Sequence, residues 1–333
     1  MAGDNSSITI DPMKGDKSVP SPRLRLMSIA ILVAILASCG GETRIPVAAH
    51  APGVATAPAA GSPGAPDPLP SFSQDRAMNH VRALARRIGV RVRATGRERR
   101  GARYVANKLR GFGYNVYIQR FDVDGGTSRN VIARWPGSMR YPFIVGAHMD
   151  SVRRSPGAND NASGVAVMLE IARLVKNRSQ AEFVKFIAFG SEEYGTDGRH
   201  HVGSQVFVNR LGPRGRRLLP GMVSVDMIAD GRPLIDGTAG IGPRVVARTM
   251  LRKMRAAHIN VVYRTTCDCS DNGPFERAGI PAAFLWSGTE PNYHSPSDTV
   301  RNLRPDDLFR TGRGVRAFVR DLDRAMIARF RRH

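Results

Sequence analysis

Apolar positions recur along this chain in two rhythms. Between Ala162 and Val175 they fall at Val165, Met168, Leu169, Ala172 and Val175, the three- and four-residue spacing of an amphipathic helix, which the Asp160 and Asn161 region caps. The same spacing predicts helices over Ser73 to Gly89, Arg97 to Gly111, Pro243 to Ala257 and Pro305 to Arg329. Shorter unbroken apolar runs, "YPFIVGAHMD", "FVKFIAFGSEE", "MVSVDMI" and "AAFLW", read as strands covered on both faces. "NVYIQRFDV" and "NVIARW" alternate as strands at a sheet edge do. Strands and helices taking turns in this order predict an α/β domain: a mainly parallel central sheet with helices on both faces.

The first seventy residues follow neither rhythm. Arg23 and Arg25 precede "LMSIAILVAILA" (Leu26 to Ala37), an apolar run short for a membrane span and suited to the core of a signal peptide. It stops at Leu36, Ala37, Ser38 and Cys39, which resembles the lipobox of bacterial lipoproteins and implies cleavage before a lipid-modified Cys39. Met13, followed by Lys14, gives a more typical signal length than Met1, so the start codon stays open. The Ala, Pro and Gly stretch from Gly40 to about Pro70 cannot build a core and reads as a tether. The expected organisation is therefore a signal peptide over 1–38, a tether over 39–70 and one folded domain over 71–333. A lipid anchor and tether would place that domain outside the cytoplasm, and the resemblance to sorted lipoproteins, with Gly40 rather than Asp after the cysteine, implies the periplasmic face of the outer membrane.

The formal net charge of +22 raises the question of polyanionic partners. The excess is spread along the chain without a zinc-finger or helix-turn-helix signature, and an envelope location argues against nucleic acid. Three cysteines occur; with Cys39 assigned to lipid, Cys267 and Cys269 remain. An oxidising compartment allows them to pair, but a ring closed by C-x-C is tight, so two free thiols are equally open.

The candidate chemistry lies where the predicted strands end. His148 and Asp150 close one, Glu192 and Glu193 close the next, and Asp226 ends a third. In open α/β sheets the carboxyl ends of the strands line the ligand crevice. His148, Asp160, Glu193, Asp226 and His294 make a set of two imidazoles and three carboxylates that suits zinc. Five ligands exceed one catalytic zinc and fit two, roughly 3.5–4 Å apart, if one carboxylate bridges; Asp160, on a short side chain between the other groups, is the natural bridge. Asp150, two residues beyond His148, is placed to orient that imidazole, and Asp298 in "YHSPSDT" to do the same for His294. Glu192, beside a ligand but surplus to coordination, is placed to carry a proton.

The pieces "GAHMDSV", "PGANDNASGVAVMLEIAR", "FIAFGSEEYG", "VDMI", "SDNGPFERAGIPAAFL" and "YHSPSDT" resemble, in content and order, the zinc-dependent aminopeptidases related to bacterial leucyl aminopeptidase and aminopeptidase Y. The resemblance covers most of residues 140–300 and implies the zinc-exopeptidase fold and two Zn2+ per chain. It assigns His148 and Asp226 to one zinc, Glu193 and His294 to the other, and Asp160 to both. It also implies Glu192 as general base and acid, Asp150 as the partner of His148, and Tyr293 as donor to the tetrahedral oxyanion, a contribution of about 2.7–4 kcal/mol for one such donor. Two departures stand out. The loop after Glu193 is longer than the family's and carries His200 and His201, which are left out of the ligand set because five ligands are already present. Asn272 replaces a common histidine, which leaves metal binding intact and puts inherited statements about substrate fit in doubt.

The expected activity is release of N-terminal residues from peptides with a free amine, which the acids of the site, Glu192 and Asp226 among them, would recognise. Two other readings use the same residues. One is glutaminyl cyclisation or carboxypeptidase-type hydrolysis on the same fold, against which the complete ligand set and the "NDNASG" loop argue; the other is a metal-stabilised envelope binding protein, in which Glu192 would have no task.

Overall fold

The computed structural model describes residues 69–333, so the signal segment, Cys39 and nearly all of the tether lie outside the described residues. Ser73 caps the first helix, α1 (Gln74–Val81), its side chain accepting the Arg76 N–H. The helical path runs on through Ile88 and stops at Gly89, whose φ of 78° only glycine adopts without cost. After α2 (Gly96–Gly111), the hairpin β1 (Asn115–Val123) and β2 (Gly126–Arg134) forms one margin of an eight-stranded sheet. β1 alternates between exposed and buried positions as an edge strand must.

Next come β3 (Phe143–His148), α3 (Gly164–Val175), β4 (Val184–Phe189), α4 (Val202–Arg210), α5 (Gly212–Leu218), β5 (Met222–Val225), β6 (Arg232–Thr238), α6 (Val245–Ala256), β7 (Val262–Thr265), α7 (Asn272–Arg277) and β8 (Ala282–Thr289). The chain ends in α8 (Pro305–Arg320) and α9 (Arg324–Arg331). The strand order is β1-β2-β4-β3-β5-β8-β6-β7. β4, β3, β5 and β8 form a parallel centre. β2 pairs antiparallel with β4 and β6 antiparallel with β8, giving mixed wings.

β3, β4 and β5 are buried on both sides, which is why their sequences are mainly apolar, with Lys185 of β4 and Ser224 of β5 as buried exceptions. Val145 and Ala147 of β3, with Phe186 and Ala188 of β4, face a core completed by α1, α2, α3, α6, α8 and α9. Ile144 and Ile187 point the other way, onto Phe207 of α4 and Phe275 of α7. α3 lies so close to the sheet that a Cβ at Gly164 would meet the Val225 carbonyl oxygen at 2.0 Å. Leu69 and Phe72 already belong to this core, and Arg316 Nε donates to the Pro70 carbonyl at 2.7 Å.

The single helix expected over Pro305 to Arg329 is two. The chain breaks at Asp321, and Asp323 restarts it as an N-cap accepting the Met326 N–H at 2.6 Å. Cys267 and Cys269, left open by the sequence, form a disulfide with Cα atoms 5.1 Å apart. Among the described residues no helix is long and apolar enough to cross a membrane.

Candidate metal and catalytic site

The parallel centre brings the strand ends together. His148 is the last residue of β3, Asp226 follows the last residue of β5, and Glu192 and Glu193 lie just beyond β4. Asp160 comes from the turn before α3 and His294 from the segment after β8. These are the carboxyl ends of four neighbouring parallel strands, where backbone donors and loops leave a crevice.

Asp160 joins two groups. Its Oδ1 lies 3.1 Å from His148 Nε2, which is itself 3.1 Å from Asp226 Oδ1. Its Oδ2 lies 3.2 Å from His294 Nε2, which is 3.1 Å from Glu193 Oε2. His148, Asp160 and Asp226 thus form one triad of converging donors, and Asp160, Glu193 and His294 a second. A further group, His148 with Glu192 and Glu193, also converges within 4.8 Å. Glu192 stands farther from the imidazole than the other acids, Oε2 being 3.8 Å from His148 Nε2.

The charge balance asks for cations. Asp150, Asp160, Glu192, Glu193, Asp226 and Asp271 are all buried within a chain that is otherwise strongly basic. Burial pushes Glu193 up to about 8, and the neighbouring Asp160 adds to the rise. Burial likewise drives Glu192 well above the usual carboxylate range. At the imidazoles burial works against charge but loses: Asp226 and Glu192 hold His148 well above its ordinary value, and hydrogen bonds to Asp160 and Glu193 raise His294 to about 10. Protons on the two imidazoles stand where a positive ion would otherwise neutralise the acids. Hard carboxylates and borderline imidazoles in threes are the donors zinc takes, so the residues fit that metal.

The surroundings fix these donors. Asp150 accepts the backbone N–H groups of Glu192 and Glu193 at 3.1 and 3.2 Å, while its Oδ1 lies 3.5 Å from His148 Nδ1. Its hydrogen bonds thus tie the segment after β3 to the Glu192–Glu193 pair, while His148 Nδ1, its expected partner, faces it without a hydrogen bond among the described residues. Asp298 does not reach His294 by a hydrogen bond. Its carboxylate accepts the backbone N–H groups of Asn159 and Asp160 and the Ser155 hydroxyl instead, so the expected partner of the second imidazole anchors the shared carboxylate's backbone. The turn it holds is rigid for polar reasons: Asn161 bonds the Val225 carbonyl and the Gly164 N–H, and Asn159 accepts the Ala229 N–H.

Tyr293 is 53% exposed and its ring stacks on His294, with centroids 3.7 Å apart. Burial of the phenol and the acids nearby raise its pKa, so the hydroxyl keeps its proton. Asn272 Nδ2 donates to Glu276 Oε1 at 2.9 Å, and Glu276 in turn accepts N–H groups from Ala239, Ile241 and Gly242. That side chain braces a loop.

Three supports escape a reading by sequence. Ser270 donates to Asp226 Oδ2 at 2.8 Å. Arg91 is wholly buried and spends its guanidinium on the carbonyls of Leu84, Gly89, Met149, Pro156 and Gly157, clamping the segment between His148 and Asp160. His201, set aside as a ligand, belongs to neither triad but lies 2.9 Å from Glu192 Oε1. Its signal in the sequence was the lengthened loop; the other two gave none.

Residues 130–319 match the sequence signature described as Peptidase family M28. The chain belongs to this family. The M28 chain is 33% identical over 206 residues to "Aminopeptidase YwaD" of Bacillus subtilis, a match covering 58% of this chain and 44% of that one. It spans about half the length of the curated relatives it matches. Its fold resembles "BSAP, a zinc aminopeptidase from Bacillus subtilis", at a TM-score of 0.69 and 20% identity, covering 76% of this chain and 95% of that one. It also resembles a Bacteroides thetaiotaomicron glutaminyl cyclase bound to N-acetylhistamine, at a TM-score of 0.65 and 22% identity, covering 77% and 100%. At such identities the likeness establishes the fold, and the reaction has to be argued from the side chains.

Proposed function

We propose that this M28 chain is a zinc-dependent aminopeptidase that removes N-terminal residues from peptides, using two Zn2+ held by the triads that share Asp160. The observation carrying this reading is the opposed use of the two Asp160 oxygens, one toward His148 and Asp226, the other toward His294 and Glu193. The relative and the solved structure whose names carry aminopeptidase activity support it.

Zinc held by the triads would supply Lewis acidity toward a scissile carbonyl and an attacking water. Glu192 takes the proton of the attacking water and returns it to the departing amine; it is buried beside His148 without belonging to either triad that shares Asp160. Asp150 holds the Glu192–Glu193 backbone and stands 3.5 Å from His148 Nδ1, where it would orient the ring. Tyr293 keeps its phenolic proton and donates it in a hydrogen bond to the developing oxyanion. The acids of the crevice, Glu192 and Asp226 among them, accept the free ammonium of the substrate, which limits cleavage to the terminal residue.

The glutaminyl cyclase in the fold comparison makes that reaction the natural competitor. Two complete triads on one shared carboxylate favour the hydrolase. Cys39 as a lipid anchor and the Ala/Pro/Gly stretch as a tether place the enzyme on the periplasmic face of the outer membrane, with peptides as substrates. Cys39→Ala should release the protein from membranes; retention there would remove the anchor.

The test is zinc content together with hydrolysis of aminoacyl anilides and their N-acetylated counterparts. About two zincs per chain and cleavage of the free-amine substrates alone support the proposal. Equal cleavage of blocked substrates, or cyclisation of glutaminyl peptides without hydrolysis, overturns the assigned reaction. Glu192→Ala should retain zinc and lose about 10²–10⁴ in rate.

A further inference from the structure

The loop after Glu193 folds back onto Glu192. Its backbone returns as His201 N–H donates to the Glu192 carbonyl at 2.7 Å and Val202 N–H to the Ser191 carbonyl at 2.8 Å. Arg93 closes the loop from the side. Its guanidinium donates to the Glu193 and Arg199 carbonyls at 3.2 and 2.7 Å and pairs with Asp124 and Asp197. Tyr194 stacks on His200, with ring centroids 4.3 Å apart. A loop pinned by a buried arginine, two carboxylates and a stacked ring pair has a fixed shape.

That shape delivers one side chain to the site. His201 is 2% exposed and sits at the N-terminus of α4 with φ 52°, a left-handed conformation that histidine tolerates better than most residues. Its Nε2 lies 2.9 Å from Glu192 Oε1 and 3.1 Å from His200 Nδ1. Burial first, and then His200, hold the ring neutral down to about pH 3. A neutral imidazole carries one N–H; Nε2 is hydrogen-bonded to His200 Nδ1 and also stands within 2.9 Å of Glu192 Oε1, so an N–H placed there is shared between the two. The other Glu192 oxygen, Oε2, is left facing His148.

We propose that His201 is a positioning residue for the reaction at this site: it holds Glu192 Oε1 so that Oε2 alone faces the reacting water and the amine. The inference rests on the reading of Glu192 as the proton carrier. It gives the loop a task, since His201 faces the base and belongs to neither of the triads that share Asp160. A carboxylate on a rotatable side chain loses rate when its angle is free, and displacement of a reacting group by about 1 Å costs about 10²-fold.

The experiment uses the full chain loaded with zinc, and the best substrate from the anilide panel. Four variants are compared with the parent: His201→Ala, His201→Gln, Glu192→Ala and the double variant Glu192→Ala/His201→Ala. Glutamine carries its amide nitrogen about as far from Cα as histidine carries Nε2, and alanine and glutamine share the same cost at the left-handed position. His201→Ala is expected to lower kcat about 10- to 100-fold, with KM within about twofold and zinc content unchanged. His201→Gln should recover most of that loss. In the Glu192→Ala background, removal of His201 should change kcat less than about twofold, because the two residues act as one unit. If His201→Ala does not fold, His201→Leu, which fills the space without a donor, takes its place against His201→Gln.

Loss of zinc on removing His201, a rise in KM at constant kcat, no recovery with glutamine, or an equal loss in the Glu192→Ala background would each overturn the proposal. Wild-type kcat in Glu192→Ala would instead remove the base assignment on which it rests.

Discussion

Asp298 holds Asp160 by the backbone, accepting its N–H at 3.2 Å, while the Asp160 side chain faces both imidazoles of the site. The same Asp298 carboxylate takes the Asn159 N–H at 2.6 Å and the Ser155 hydroxyl at 3.1 Å. Three donors converge on one anion, and it in turn fixes the only carboxylate common to both triads.

Asp298→Asn should therefore loosen both triads together. An amide cannot accept from all three donors, and one backbone N–H loses its partner. Zinc affinity is expected to fall about 10- to 100-fold, read by competition with a chromophoric chelator. Asp160→Ala should go further and retain no zinc at either triad; a variant still holding two per chain would refute the shared carboxylate.

Zinc loading should release protons. In the metal-free site His294 is raised to about 10 and His148 well above 6.5, so both imidazoles carry protons at pH 7 that a metal must displace. Calorimetric titrations at pH 7 in buffers of different ionisation enthalpy are expected to give net proton release per zinc, and affinity should weaken as pH falls. Uptake without proton release would mean that the imidazoles are not the ligands.

Glu98 should write a pH dependence away from the metals. It is fully buried, and burial pushes its carboxyl up to about 8 from an ordinary 4.5, with Ser128 and Ala94 N–H as donors. The folded state holds this proton more tightly than the unfolded state. The stabilising contribution is thus complete below about pH 4.5 and is lost as pH rises through about 8. Thermal melts of the wild type against Glu98→Gln should show the difference in stability shifting toward the glutamine variant across that window; parallel curves would contradict the assignment.

Gly164→Ala should destabilise the whole domain. The added Cβ meets the Val225 carbonyl oxygen at 2.0 Å and the Asn161 amide oxygen at 2.5 Å, so α3 must move from β5 at the point where Asn161 ties them. A cost of about 1–3 kcal/mol is expected, seen as a melting temperature lower by several degrees. An unchanged melt would show that the helix has room to shift.

The sequence by itself determined the layers and the donors. Strands buried on both faces spare few polar positions, so the imidazole and carboxylates at their ends, His148, Glu192, Glu193 and Asp226, stand out after mainly apolar runs. α3 was legible for the opposite reason, a polar side periodically interrupting an apolar one. Elements with weak contrast were not: β6 begins Arg-Pro, β7 is half exposed at the sheet margin, and the restart at Asp323 hides inside a periodic pattern that runs past it. Tertiary structure alone decided which atoms meet. A hydrogen-bond partner depends on approach and angle across the fold, which the identity of a residue does not encode. Asp298 turns to the Asp160 backbone rather than to His294, Arg91 reaches five carbonyls, and His201 reaches Glu192 only because the loop between them closes back on itself.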